Sequence, residues 1–186
     1  MIRLFLLLAL VWSTGAAQDG LPKSVKEIRQ LYADTQEAIA RMDEEEHLRA
    51  QMTTTVQRNM PGSGIRKETV TTFFEEYDDS VDGIEFNPDY RPFFVTRKYN
   101  VAARKFYEEY LFDAETGTPV FIFLQGDSME GDGKKDETRY YFGPLGKLSE
   151  SIKGERLLDE QEAHDQAATL WQSLKAQLNQ FRDLAD

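Results

Sequence analysis

The sequence predicts an α+β fold: an antiparallel meander sheet of about six strands with N- and C-terminal amphipathic helices packed on it. Three observations carry that class. Apolar residues recur at helical spacing near both ends of the 186-residue chain, and between them lie short β-rich runs separated by turn residues. The connections between most of those runs are too short for a parallel crossover, so successive strands must run antiparallel. Of the 22 aromatic residues, 17 fall between Val70 and Leu145, within the strand-rich middle.

The chain opens MIRLFLLLALVWSTGAAQDG, in which Arg3 precedes an apolar run from Leu4 to Trp12, and Gly15 and Ala17 occupy the positions a signal peptidase reads. Residues 1–17 are therefore expected to be a cleavable signal peptide of bacterial type, and residues 18–186 a single α+β domain, secreted or periplasmic. A membrane span needs about 20 apolar residues, roughly twice this run, so no stable membrane anchor is expected. The chain has no cysteine and no Asn-x-Ser/Thr sequon, which excludes disulfides, thiol catalysis and thiolate metal sites and suits a bacterial export route. Its net charge is −11, and no run of Lys or Arg stands out in the sequence, so nucleic acid is not an expected partner.

Val25, Ile28, Leu31, Tyr32, Ile39 and Met42 form one stripe of a helix over 24–43, with Pro22 just ahead as a start signal. Strands are expected at 51–60, 66–77, 93–101, 104–113, 118–125 and 137–143, within a sheet spanning 51–143. Pro61-Gly62-Ser63-Gly64 and the stretch Asp113 to Gly117 supply hairpin loops, whereas 78–90 is a longer connection. Val101-Ala102-Ala103 reads either as a turn or as a bend within one long strand. A second helix over 157–184 carries Ala163, Ala167, Leu170, Trp171, Leu174, Leu178 and Phe181 at helical period. The helices are expected on one face of the sheet.

Side chains alternate across a strand, so in Phe106 to Phe112 one face receives Phe106, Tyr110 and Phe112 and the other Tyr107 and Leu111. Both faces thus carry large side chains. Either the sheet curls toward a half-barrel, or one face is an aromatic surface that binds something. The residues assigned to such a face are Tyr99, Tyr107, Tyr110, Tyr140 and Tyr141, whose rings can stack while their hydroxyls hydrogen-bond.

Three chemistries compete with that reading. The stretch VFIFLQGDSMEGDG, 120–133, resembles the first block of the GDSL (SGNH) esterases and lipases, and the resemblance covers about ten residues. It implies an α/β fold and Ser128 as nucleophile. The pattern departs from that family elsewhere: only 58 residues follow Ser128, no Gly-x-Asn-Asp block exists, and Gln161 stands where an aspartate should precede His164. Turn chemistry explains the same residues as a polar hairpin loop. Asp127, Glu130, Asp132, Asp136 and Glu137 offer calcium ligands, but Asp132 occupies the position where an EF-hand loop has glycine.

The near-repeat Phe73 to Tyr77 and Phe106 to Tyr110 carries the pairs Glu75-Glu76 and Glu108-Glu109. Facing carboxylates on a sheet are what glycosidases use, whereas cross-strand pairing with Arg97, Lys98, Arg104, Lys105 and Arg139 is the structural alternative. His47 and His164 are far apart and have no metal-ligand spacing. No catalytic residue, metal or cofactor is assigned. The functional expectation is an exported, non-enzymatic binding or interaction module for a small molecule, glycan or protein. A small hydrolase and a structural envelope protein are the alternatives.

Overall fold

Ser24 starts the first helix by a capping box: its hydroxyl accepts the Glu27 backbone N–H at 3.3 Å, while the Glu27 carboxylate accepts the Ser24 N–H at 2.8 Å. The computed structural model describes residues 24–42, 49–77, 89–113, 117–128, 133–143, 147–154 and 156–185. The signal-peptide expectation and Pro22 lie outside the described residues, as do His47 and most of the long connection after Tyr77. The order of elements is α1 (Val25–Ala40), β1 (Arg49–Met60), β2 (Gly64–Tyr77), β3 (Asp89–Val101), β4 (Arg104–Phe112), β5 (Pro119–Asp127), β6 (Lys135–Phe142), β7 (Leu148–Lys153), β8 (Arg156–Leu157) and α2 (Glu160–Ala185). The strands form one antiparallel meander in chain order, β1 to β8.

Six of the eight strands fall where turn chemistry and apolar alternation place them. The additional pair is β7 and the short β8. Leu-Ser-Glu-Ser-Ile-Lys has only Leu148 and Ile152 as apolar side chains, and its serines, glutamate and lysine are poor strand formers, so pairing with β6 rather than local preference makes it a strand. Val101 and Arg104 face each other across a tight hairpin, which resolves the ambiguity there in favour of a turn. Ala102 enters it with φ 53°, the only described non-glycine residue with positive φ.

The expectation that both helices share one face is corrected by the structure, and the alternation of large side chains on both faces is the reason. On one face, Ile28 of α1 packs with Phe73, Phe94, Leu111, Val120, Phe121 and Tyr141. On the other, Ala163, Ala167 and Leu174 of α2 pack with Val70, Val95, Tyr110, Phe112, Ile122, Tyr140 and Phe142. Alanines at 163 and 167 let α2 approach the sheet closely, and Trp171 meets Phe112 at 5.6 Å between ring centroids. Each face has enough apolar surface to require its own cover. The sheet is the middle of three layers, open at its edges because β1 and β8 do not pair.

The cover is incomplete along the strands. In β4 the five residues Glu108 to Phe112 are buried, whereas Arg104 to Tyr107 are exposed or half-buried. In β5 the buried end is Pro119 to Ile122, and in β6 it is the Tyr140 to Phe142 end. Burial in these three strands is therefore concentrated at one end of their length.

Candidate functional site

Cross-strand register sorts the face that carries α1 into rows. Phe94, Leu111, Phe121 and Tyr141 are successive partners and form the apolar row under the helix. The next row runs Thr96, Glu109, Phe123, Arg139, Ile152, and the one beyond it Lys98, Tyr107, Gln125, Glu137. A last row holds Asn100 opposite Lys105 and Asp127 opposite Lys135. Along this face the character changes from apolar to amphipathic to cationic, and α1 walls off only the apolar part.

Glu109 marks the border. Its carboxylate accepts the Tyr32 hydroxyl from α1 at 2.5 Å and the Tyr107 hydroxyl from its own strand at 2.5 Å. Burial first, and then the Glu109 carboxylate, raise the pKa of both phenols, so both are neutral donors at physiological pH. Arg139 stacks over the Phe123 ring at 5.1 Å and pairs with Glu137 at 2.8 Å. The Gln125 amide, then Arg139, hold Glu137 below the usual carboxylate range.

Two concavities adjoin this border. One, of about 490 Å³, lies against α1 and is lined by Arg29, Tyr32, Glu109, Phe123, Arg139 and Ile152 among others. The other, of about 540 Å³, lies on the uncovered end and is lined by Lys67, Lys98, Lys105, Lys135, Tyr107 and Gln125 among others. Four lysines from four different strands thus line one hollow of a chain whose net charge is −11. All four lysines are exposed, and none is ion-paired among the described residues. Lys98 Nζ sits 5.5 Å from the Tyr107 ring centroid, and Lys135 Nζ donates to Gln125 Oε1 at 2.9 Å. Asp127 also lines the hollow, but its carboxylate accepts the Lys105 backbone N–H at 2.7 Å. No protein family, characterised protein or solved structure matches the chain. The site is therefore read from its own geometry.

The five tyrosines of the sequence analysis do not share a face. Tyr107 and Tyr141 belong to the α1 side, and of the five Tyr107 and Tyr99 line the open hollow. Tyr141 is buried beneath α1, with Arg29 Nε donating to its hydroxyl at 3.3 Å. Tyr110 and Tyr140 are fully buried under α2, where the Tyr140 hydroxyl donates to Gln166 Oε1 at 2.8 Å. Tyr99 also points to the α2 side, stacked on Phe106 with centroids 5.0 Å apart. Alternation forbids a common face: Tyr140 and Tyr141 are adjacent, and Tyr107 and Tyr110 are three apart.

The carboxylates separate in the same way. Glu108 faces α2 and is enclosed: Arg97 Nη1 donates to it at 3.1 Å, and the Tyr99 and Tyr110 hydroxyls donate at 2.8 and 2.6 Å. Arg97 Nε also donates to Glu68 at 2.7 Å. Glu108 and Glu109 thus occupy opposite faces and cannot act on one substrate. Glu75 faces Arg91 in the register, while the side chain of Glu76 lies outside the described residues. Ser128 follows β5, and its N–H donates to the Lys134 carbonyl at 3.0 Å as the chain turns back into antiparallel β6. This hairpin is the alternative to the strand-to-helix elbow that the GDSL resemblance implies. Glu130 and Asp132 lie outside the described residues, and no cluster of potential metal ligands occurs among those described.

The lysine hollow had no signal in the linear sequence. Lys67 and Lys135 are separated by most of the sheet's chain length, and only the meander register brings them to one end of it.

Proposed function

We propose that the protein is a non-enzymatic binding module that holds a multiply charged anion, a small molecule or an acidic glycan, on the open end of the α1 face. The supporting observation is the hollow lined by Lys67, Lys98, Lys105 and Lys135 beside the Tyr107 ring, with no ion pair to any of the four among the described residues. Like charges gathered in a concavity raise the local potential and draw in an opposite charge, the more so where the surrounding protein is acidic and would repel it elsewhere. Tyr107, fixed by Glu109, and Gln125, fixed by Glu137, give the cationic surface a defined shape. The lysines supply attraction and the fixed polar groups supply orientation.

The test is a binding screen of polyuronate, sulfated glycan and polyphosphate against neutral glycans at low and high salt. The proposal requires an anion that binds more weakly as salt rises, because exposed charges are screened over about 10 Å at 0.1 M. It also requires that K98E/K105E abolish the binding while leaving the circular dichroism unchanged. Binding of neutral glycans alone, or anion binding indifferent to K98E/K105E, contradicts it.

A further inference from the structure

Among the described residues, the sheet leaves one long edge unpaired. β1 pairs with β2 through an unbroken register from Arg49–Glu75 to Met60–Gly64, and its other side pairs with no described strand. The opposite edge, β8, is only two residues long. Edge strands in soluble proteins are commonly blunted by proline, lysine, a bulge or shortness. β1 spans 12 residues and has no proline, glycine, lysine or bulge.

Its sequence is also nearly palindromic. Gln51-Met52-Thr53-Thr54-Thr55-Val56-Gln57 reads alike in both directions about Thr54, with Met52 and Val56 as the apolar pair. In a two-fold interface each residue i that meets j has j meet i in return, and the near-palindrome makes the residues so paired alike in character. With two copies of β1 antiparallel and Thr54 opposite Thr54, Thr53 faces Thr55, Met52 faces Val56, and Gln51 faces Gln57. Ala50 then faces Arg58, so no two like charges oppose one another from Ala50 to Arg58. The threonine pairing repeats one already present within the chain, where Thr53 meets Thr71 and Thr55 meets Thr69, each with hydroxyls 3.1 Å apart.

We infer that two copies of the chain join through β1 in this register, making one continuous antiparallel sheet of 16 strands, twice the eight of each copy. The two-fold axis then runs perpendicular to the sheet, so both lysine hollows lie on the same side of the dimer. The inference does not depend on what the hollows bind.

Light scattering on the purified protein tests it, with the dimer seen as twice the mass of one chain. T53K/T55K places lysine opposite lysine twice across the axis and should give a monomer with unchanged circular dichroism, both sites being exposed. T53K/T55E places lysine opposite glutamate twice and should keep the dimer. Thr54→Cys in a chain without cysteine should form an intermolecular disulfide under oxidation, because opposed residues lie within disulfide reach. A monomeric wild type overturns the inference. So does a dimer that T53K/T55K leaves intact, or one that T53K/T55K and T53K/T55E dissolve equally. Should those pairs misfold, a dimer that Thr54→Cys does not lock covalently overturns it as well.

Discussion

Arg97 and Glu108 face each other across β3 and β4 with guanidinium Nη1 3.1 Å from carboxylate Oε2, and both side chains are buried. Glu68 completes a triad around the guanidinium, and Arg97 also lies 4.6 Å above the Tyr99 ring. Burial works against the charge on Arg97, but Glu108 and then Glu68 outweigh it and raise its pKa. Arg97 compensates Glu108 and shares Glu68 with Arg66, whose Nη2 lies 3.2 Å from Glu68 Oε2.

Arg97→Met should therefore cost far more than the loss of a surface ion pair. Removing one member of a buried pair leaves the other charge uncompensated, a loss of about 3–5 kcal/mol. Glu108→Gln, which leaves Arg97 paired with Glu68, should cost less, about 1–3 kcal/mol for a weakened buried hydrogen-bond set. Urea unfolding of the two variants checks the order. An Arg97→Met protein within about 1 kcal/mol of wild type, the range of exposed pairs, contradicts the reading of this triad as a buried and mutually dependent unit.

Ala102 offers a change in the opposite direction. At φ 53° an L-residue with a Cβ is held in the left-handed region, at a cost of about 1–2 kcal/mol. The Asn100 amide fixes the turn by donating to the Ala102 carbonyl at 3.0 Å and to the Ile65 carbonyl at 2.9 Å, so the hairpin keeps its shape regardless of residue 102. Ala102→Gly should raise the unfolding free energy by about 1 kcal/mol, since the left-handed penalty it removes exceeds the entropy glycine adds to the unfolded chain. A lower urea midpoint in Ala102→Gly would show that the turn is not strained.

Alkaline pH should unfold the protein through its tyrosines. Burial is the first cause of a raised pKa for Tyr32, Tyr99, Tyr107, Tyr110 and Tyr140, and Tyr140 is pushed up to about 12. An unfolded tyrosine titrates near 10. Below that pH both states are protonated, and these residues add no pH dependence. Above it the unfolded state loses protons that the native state keeps, so stability falls as pH rises from about 10 toward the folded values. The ionisation of these five tyrosines, followed by tyrosinate absorbance, should coincide with the loss of far-ultraviolet circular dichroism above about pH 10. Five tyrosines that ionise near pH 10 with the fold intact would contradict this burial pattern.

Much of the sheet is legible in the sequence because its turns are chemical. Pro61-Gly62-Ser63-Gly64 and Asp113 to Gly117 mark hairpins, and β1 to β6 follow within a few residues of their expected limits. β7 is not legible, because Leu148 and Ile152 are too few to announce a strand that β6 templates. The placement of the helices was readable in part: Tyr107 and Leu111 oppose Phe106, Tyr110 and Phe112, and two apolar faces demand two covers. The site was not. Glu109 is set apart from Glu108 by parity, which the sequence contains, but its partner Tyr32 comes from α1 and is fixed only by the way the helix docks. The four lysines depend on the alignment of β2, β3, β4 and β6, and so on every turn between them.

The measurement that bears most directly on the proposed site is an amide and side-chain NMR titration of the protein with a short polyuronate, a sulfated oligosaccharide and polyphosphate at low salt. The account predicts that at least one of them shifts resonances of Lys67, Lys98, Lys105, Tyr107, Gln125 and Lys135, leaves those of Tyr110, Tyr140 and α2 in place, and loses its effect as salt is added. Shifts centred on the α2 side, or none with any of the three anions, would contradict it.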